Sequence, residues 1–246
     1  MRDTETILLE KYEQHELTKL EAMLKYDFRD RLLLIKALSH PSLKQHNSFK
    51  RYFERQKYEF EKLELLGDAV LSLVIIELLV DHYPKFGESL IAKFKNHLVS
   101  KKEIAKIASE IRLYDFWIMT DGEKKSGGSK NISNLENTLE ALIGAIYLDS
   151  KDIHLIKKVI KKLWHKPIET VNLEVLDPKS SLQELSYVMD LGVPQYEIIK
   201  QEGQSNDMVF TSKVSLENGA SKEGSGKSKK EAEIAAAQKL LTLLSN

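Results

Sequence analysis

Three carboxylates at helical spacing give this sequence its clearest capacity for chemistry. Glu61, Glu64 and Asp68 stand at positions i, i+3 and i+7 of a segment whose apolar residues recur every three or four positions. A helix has 3.6 residues per turn, so the three side chains share one edge of it. Gly67 precedes Asp68 and Ala69 follows it, and residues this small let another backbone approach closely. The segment therefore predicts an acidic helix edge with room for a packed neighbour.

A second acidic group lies far along the chain, where Glu136, Asn137 and Glu140 interrupt a largely apolar helical pattern. Single carboxylates on a helix usually form a solvated face. Asp68 and Glu140, however, stand among small and apolar residues with few cations nearby, and a carboxylate buried without a partner is costly. Spacing alone leaves both interpretations open. If these carboxylates are buried rather than solvated, the two helices pack together and their oxygen donors converge on a positively charged group.

Converging oxygen donors would bind a hard metal ion. The sequence contains no Cys, which excludes a disulfide scaffold, a thiol nucleophile and a Cys-ligated zinc site. Oxygen ligands favour Mg²⁺, with Mn²⁺ as a possible substitute. Such an ion can lower the pKa of bound water and neutralise charge on a phosphoryl oxygen.

Composition and hydropathy narrow the classes of partner. Lys plus Arg and Asp plus Glu both total 37 in the 246 residues, so the formal net charge is zero. Nucleic-acid binding would therefore have to rest on local patches. The longest apolar stretch, from Ala69 to Val80, is broken by Ser72 and Glu77 and predicts a core helix rather than a membrane span. The N-terminus lacks a signal pattern, so we expect a cytoplasmic protein with no membrane partner.

The periodicity of apolar residues divides the chain into two parts. The first two thirds predict helices. After Trp164 the pattern predicts a short helix, three strands and a last helix, which lie at Ser180–Met189, Tyr196–Ile199, Val209–Val214, Gly219–Glu223 and Lys229–Leu244. We therefore expect an all-α domain followed by a small α+β module of order α-β-β-β-α. The polar stretch between Pro167 and Pro178 is typical of a linker.

Two sequence blocks resemble those of the ribonuclease III family. The first is Ala37-Leu38-Ser39-His40-Pro41-Ser42 followed by Leu63-Glu64-Leu65-Leu66-Gly67-Asp68-Ala69-Val70-Leu71, and the second is Gly122-Glu123-Lys124-Lys125-Ser126-Gly127-Gly128 followed by Leu139-Glu140-Ala141-Leu142-Ile143-Gly144-Ala145-Ile146-Tyr147-Leu148-Asp149. The resemblance implies a divalent-metal-dependent endoribonuclease that hydrolyses double-stranded RNA and leaves 5′ phosphate and 3′ hydroxyl ends. It also implies an N-terminal extension (1–17), a nuclease domain (18–165), a linker (166–176) and a double-stranded RNA-binding domain (177–246).

The resemblance assigns roles to individual acidic positions. The positions that match metal ligands are Glu64, Asp68, Asn137 and Glu140, of which Asp68 and Glu140 match the pair held to be indispensable for catalysis. Glu61 and Glu88 match carboxylates near the substrate. Asn137 stands where the family usually has Asp. An amide oxygen can still coordinate Mg²⁺, but the site loses one negative charge. Glu136 points about 100° away around the helix, so we expect it to be a poor substitute.

The C-terminal module resembles a double-stranded RNA-binding domain, which reads A-form shape through 2′-hydroxyls and phosphates. The resemblance implies that Gln183, Glu184 and Asn206 face minor grooves. It implies that Lys227, Lys229 and Lys230 face phosphates. Glu233 takes a place commonly filled by Lys, Arg or Gln, so we expect modest, salt-sensitive binding.

The expected partners follow from the same resemblance. One site cannot reach both strands at once, so we expect a homodimer, acting on ribosomal RNA precursors and on other structured RNAs such as messenger and transfer RNA precursors. No nucleotide cofactor is expected, because the Ser126-Gly127-Gly128 loop lies between helices rather than after a strand. One alternative is a catalytically weakened or inactive RNA-binding relative, which Asn137 and Glu233 favour. Another, a phosphohydrolase of small molecules, leaves the C-terminal module unexplained.

Overall fold

A computed structural model describes residues 14–45, 60–169, 177–203 and 207–245. Its α-helices are α1 (Gln14–Leu24), α2 (Arg31–Leu38), α3 (Phe60–His82), α4 (Glu88–Leu98), α5 (Lys101–Glu110), α6 (Asp121–Lys125), α7 (Ile132–Ser150), α8 (Ile153–Glu169), α9 (Pro178–Val188) and α10 (Lys229–Ser245). Its strands are β1 (Gln195–Glu202), β2 (Val209–Ser215) and β3 (Ser221–Gly226). The order confirms the predicted fold class, a helical region followed by an α-β-β-β-α module.

Contacts within the chain divide it into two units. The first contains the residues up to Ile75 together with Leu98–Lys166, and the second contains Ile76–His97 and the chain from Pro167 onward. Helix α4 thus groups with the C-terminal module, which the sequence did not predict. Helix α8 also continues past the expected boundary at residue 165, and Pro167 lies within its last turn. Residues 166–169 of the predicted linker are therefore helical.

The first unit contains a contact in which the backbones of α3 and α7 nearly touch. A Cβ atom added at Gly67 would lie 1.7 Å from the carbonyl oxygen of Glu140, and one added at Gly144 would lie 2.2 Å from that of Leu63. No side chain fits at either place, so glycine at both positions allows the helices to cross this closely. Since Asp68 follows Gly67, the crossing brings it towards Glu140.

Two further features fix the ends of the elements around this crossing. Asp149, near the end of α7, accepts hydrogen bonds from Tyr26 Oη (2.5 Å) and from the backbone N–H groups of Arg29 and Asp30 (both 2.8 Å). Helix α5 packs along α7. Ser100 caps α5, its Oγ accepting from the N–H of Glu103. This cap sets the residue where α5 begins and so places Lys101 in its first turn.

The C-terminal module of the second unit has its own apolar core. Its three antiparallel strands lie in the order β1-β2-β3. Helix α10 lies directly on the sheet, because a Cβ atom added at Gly224 would be 2.1 Å from the backbone nitrogen of Ala236. Leu182 and Leu185 of α9 and Leu240 of α10 are fully buried, so both helices contribute to this core.

None of the described helices combines the length and the apolar composition that a bilayer crossing requires. The longest, α3, carries charged residues along its length.

Replacing Gly67 with alanine should destabilise the protein by about 3 kcal/mol, because the added methyl group overlaps a backbone atom and the two helices must separate. Urea unfolding followed by circular dichroism measures this change.

Gly122→Ala in α6 is the matched control. The nearest atom to a Cβ added there is Thr120 Oγ1, at 4.0 Å, and alanine is the better helix former. Stability should therefore stay constant or rise slightly. If Gly67→Ala unfolds at the same urea concentration as the parent, the close crossing of α3 and α7 is wrong.

Candidate functional site

Four carboxylates lie near the point where α3 crosses α7. Glu64 and Asp68 come from α3, and Glu136 and Glu140 come from α7; we call these four residues the acidic cluster. The charges of the other three all raise the pKa of Glu140, so their carboxylates lie within interaction distance of it. Each pair is spaced i, i+4, so each helix presents two carboxylates on one face. The glycine contact brings the two faces together.

Glu140 is the buried member of the acidic cluster, with 7% of its surface exposed. Burial, followed by the charges of Asp68, Glu136 and Glu64, raises its pKa to about 8. A carboxyl group that holds its proton near neutral pH is one whose negative charge is poorly balanced. This position therefore favours an added cation.

Glu64 and Asp68 of the acidic cluster, and Glu61 next to it, range from half-buried to exposed. Burial, and then the charges of Glu61 and Glu136, raise the pKa of the half-buried Glu64. Asp68 and Glu61 are exposed. The acidic cluster therefore extends from the interior to the solvent, which leaves it open to a ligand arriving from solution.

A cation that the spacing did not predict also reaches the acidic cluster. Lys101 Nζ lies 3.1 Å from Glu136 Oε2 and 3.3 Å from Ser133 Oγ, and its charge lowers the pKa values of Glu64 and Glu140. The carboxylate of Glu136 is thus paired with Lys101, and the expectation that Glu136 is a poor substitute for an acidic residue at position 137 stays a prediction. No motif marks Lys101, because packing of a separate helix brings it there.

The donor set fits a hard divalent cation. The carboxylates of Glu64, Asp68 and Glu140 are oxygen ligands of the kind that Mg²⁺ and Mn²⁺ prefer, and half-buried Asn137 on α7 adds an amide oxygen. Lys101 lowers the pKa of Glu140, but burial and the neighbouring carboxylates raise it by more. Within residues 14–45, 60–169, 177–203 and 207–245, no group of three or more acidic or histidine side chains is already arranged to hold a metal ion. The fit thus rests on donor chemistry and charge.

The lysines predicted to contact RNA surround the start of α10. Lys227, Lys229 and Lys230 are all exposed. Ser228 Oγ accepts from the N–H of Glu231 (3.2 Å), and the Glu231 carboxylate accepts from the N–H of Lys227 (2.8 Å). This reciprocal cap fixes the helix terminus, and the positive end of a helix attracts phosphate.

The other predicted RNA contacts differ in how available they are. Gln183 on α9 and Glu88 at the start of α4 are exposed. Glu184 Oε1 accepts from Ser89 Oγ and Lys93 Nζ, both at 3.0 Å, so a contact between Glu184 and RNA requires this ion pair to open. Asn206 lies outside the described residues.

Comparison with known proteins identifies both parts of the chain. The family described as Ribonuclease-III-like matches residues 30–167, and the double-stranded RNA binding motif matches residues 178–244. Ribonuclease 3 of Rickettsia rickettsii (strain Sheila Smith) is 43% identical over 228 residues, which cover 93% of this chain and 97% of the relative. The chain belongs to the ribonuclease III family.

Two further matches, one of sequence and one of structure, are also to members of the ribonuclease III family. Ribonuclease 3 of Rickettsia bellii (strain OSU 85-389) is 44% identical over 223 residues, covering 91% of this chain and 95% of the relative. A structure of the nuclease domain of ribonuclease III from Campylobacter jejuni is 40% identical, with a TM-score of 0.53, and covers 60% of this chain and 95% of that one. These matches confirm the predicted family, fold class and endoribonuclease activity on double-stranded RNA, whereas the roles of individual residues stay predictions.

In this member of the ribonuclease III family, Glu140→Gln should increase stability at high pH. The pKa of Glu140 in the folded protein, about 8, lies above its ordinary value of 4.5, so the folded state holds the proton more tightly than the unfolded state does. Stability of the parent therefore falls as pH rises from 4.5 to 8. Glutamine has no charge to bury, so the variant should be more stable by on the order of 3 kcal/mol at pH 8.5 and about equal at pH 4.5.

Urea unfolding across this pH range measures the difference. Glu110→Gln, which removes an exposed carboxylate at the end of α5, serves as the control and should follow the parent. Parallel stability curves for the parent and Glu140→Gln would show that Glu140 is not held in a buried, acidic environment.

Proposed function

We propose that this protein uses a divalent cation, Mg²⁺ or in its place Mn²⁺, to hydrolyse phosphodiester bonds in double-stranded RNA, leaving 5′ phosphate and 3′ hydroxyl ends. The observation that carries the proposal is the backbone contact of α3 and α7, which places Glu64 and Asp68 close enough to Glu140 for their charges to act on it. The same chain carries a double-stranded RNA binding motif, which accounts for the substrate.

Glu64, Asp68, Glu140 and Asn137 are the residues proposed to hold the cation. When bound, the cation supplies Lewis acidity towards water and towards a phosphoryl oxygen. Asp68 and Glu140 are the proposed catalytic pair. Glu140 of α7 is buried, while Asp68 is exposed and can contact a substrate from solution. Glu61, one turn from Glu64 on the solvent side, and exposed Glu88 are proposed to lie near the RNA.

We propose that the active form is a homodimer. Leu65, Ala69 and Leu73 form a stripe along α3, and Leu65 and Leu73 expose 72% and 57% of their surfaces. Exposed apolar surface of this kind is typical of an interaction site. The structural description of the Campylobacter jejuni nuclease domain refers to a region involved in dimer formation. A second copy packed on this stripe would supply the second site needed to cut both strands.

Asn137 favours a second candidate function, that of a weakened or inactive RNA-binding relative, because it removes one charge from the donor set. We favour the enzyme, since Glu64 and Asp68 of α3 lie near enough to Glu140 of α7 to raise its pKa. The proposed cellular substrates are ribosomal RNA precursors and other structured RNAs. A cytoplasmic location stays a prediction.

Glu140→Ala should reduce cleavage of long duplex RNA in Mg²⁺ by ~100-fold or more, because an electrostatic contact with the reacting group is lost, while RNA binding persists. Gel electrophoresis of the products and gel-shift binding measure the two properties. Glu110→Ala, at an exposed position in the same unit, should cleave like the parent. If the parent binds duplex RNA but does not cleave it in either Mg²⁺ or Mn²⁺, the inactive relative is the correct function.

Asn137→Asp should lower the Mg²⁺ concentration needed for half-maximal cleavage roughly tenfold, equivalent to ~1.4 kcal/mol, because it adds a negative charge to the donor set. Cleavage rates across a Mg²⁺ titration measure this shift.

Asn131→Asp is the matched control, since it adds the same charge at the exposed N-cap of the same helix, and Asp caps a helix as well as Asn does. An unchanged titration for Asn137→Asp would refute the role of Asn137 as a ligand.

A further inference from the structure

Lys179, in the first turn of α9, is held by contacts inside the C-terminal module. Its Nζ lies 2.6 Å from Glu233 Oε2 and 4.4 Å from the centre of the Tyr196 ring. The side chains of Lys179 and Glu233 are only 36% and 26% exposed. A partly shielded ion pair with an aromatic ring beside the cation is more stable than an exposed pair. The ammonium group is thus directed towards α10.

Lys179 nevertheless lies beside the residues proposed to contact RNA. It precedes Gln183 by four residues on α9, so the two side chains share one face of the helix. Both also line a cavity of about 470 Å³ together with Lys230, one of the lysines at the start of α10. A cation at this place could reach a phosphate between those two groups, but its charge is directed to Glu233.

Glu233 and Tyr196 form the other side of this contact. The pKa of Tyr196 is raised by burial and then by the charge of Glu233, so the carboxylate lies near the ring as well as near the ammonium group. Tyr196 Oη is buried and has no hydrogen-bond partner in the described part of the chain. The Tyr196 hydroxyl therefore forms no hydrogen bond with Lys179. The charged partner of Lys179 is Glu233.

We propose that Glu233 limits the affinity of this protein for double-stranded RNA by withholding Lys179 from the phosphate backbone. Glu233 is then a positioning residue for Lys179, and not merely a charge that repels phosphate. Removal of its charge turns Lys179 into an additional phosphate contact. The inference rests on the proposed binding of duplex RNA. It adds that the Lys179–Glu233 ion pair sets the affinity of that binding.

Binding of the full chain to a duplex RNA of about 20 base pairs tests this proposal. Fluorescence anisotropy in EDTA, without divalent metal, separates binding from cleavage. Glu233→Gln should bind roughly three- to tenfold more tightly than the parent at 0.1 M salt. Its plot of log affinity against log salt concentration should steepen by about 0.9, the effect of one additional phosphate contact.

Three further variants decide how Glu233 acts. Lys179→Met alone should weaken binding, because it leaves the Glu233 carboxylate without its cation beside the RNA. The double variant Glu233→Gln with Lys179→Met should return to the parent's affinity and salt dependence. Glu197→Gln removes one exposed charge from β1 of the same module and should have little effect. Thermal unfolding of each variant checks that the module is folded.

Two results would overturn the proposal. If the double variant keeps the tighter binding of Glu233→Gln, then Glu233 acts only by repelling phosphate. If Glu233→Gln binds no more tightly than the parent, then Glu233 does not withhold Lys179 from the RNA. A parent chain that does not bind duplex RNA would instead overturn the proposed function, and the inference with it.

Discussion

The rest of the site depends on the glycine contact between α3 and α7. Gly67 and Gly144 leave no side chain between the two backbones, so carboxylates next to the contact must share one region of space. Burial and mutual repulsion follow, and they raise the pKa of Glu140 to about 8. Apolar packing along both helices offsets this electrostatic penalty, since Leu71 and Leu142 are fully buried. The fold thus gathers acidic side chains at the crossing of α3 and α7, where a bound divalent cation would reduce their mutual repulsion.

Lysine–glutamate pairs lie beside both surfaces that we propose act on RNA. Lys101 engages Glu136 next to the acidic cluster, and Lys179 engages Glu233 next to the lysines of α10. Each pair changes the charge that a bound cation or RNA would meet. Neither residue of either pair is itself proposed to contact the cation or the RNA. Charge balance at these surfaces is therefore set by contacts between helices as well as by the residues that the family motifs contain.

Local features of this protein were predictable from sequence, and contacts between distant residues were not. The apolar period and the i, i+4 carboxylate spacing of α3 and α7 are encoded within a few turns, as is the small residue at position 67. Lys101 reaches the acidic cluster only through the packing of α5, so no spacing indicated it. The angle of Glu136 on α7 could not indicate its ion pair with Lys101, because that partner lies on the neighbouring helix α5. The pairing of Lys179 with Glu233 joins positions 54 residues apart.

Binding of Mn²⁺ to the protein without RNA, followed by electron paramagnetic resonance, tests the central claim most directly. If the crossing of α3 and α7 gathers a cation site, the parent binds Mn²⁺, and Asp68→Asn and Glu140→Gln each weaken that binding by about tenfold or more. Glu110→Gln, at an exposed position, leaves it unchanged. Equal Mn²⁺ affinity for the parent and for both Asp68→Asn and Glu140→Gln would contradict the account.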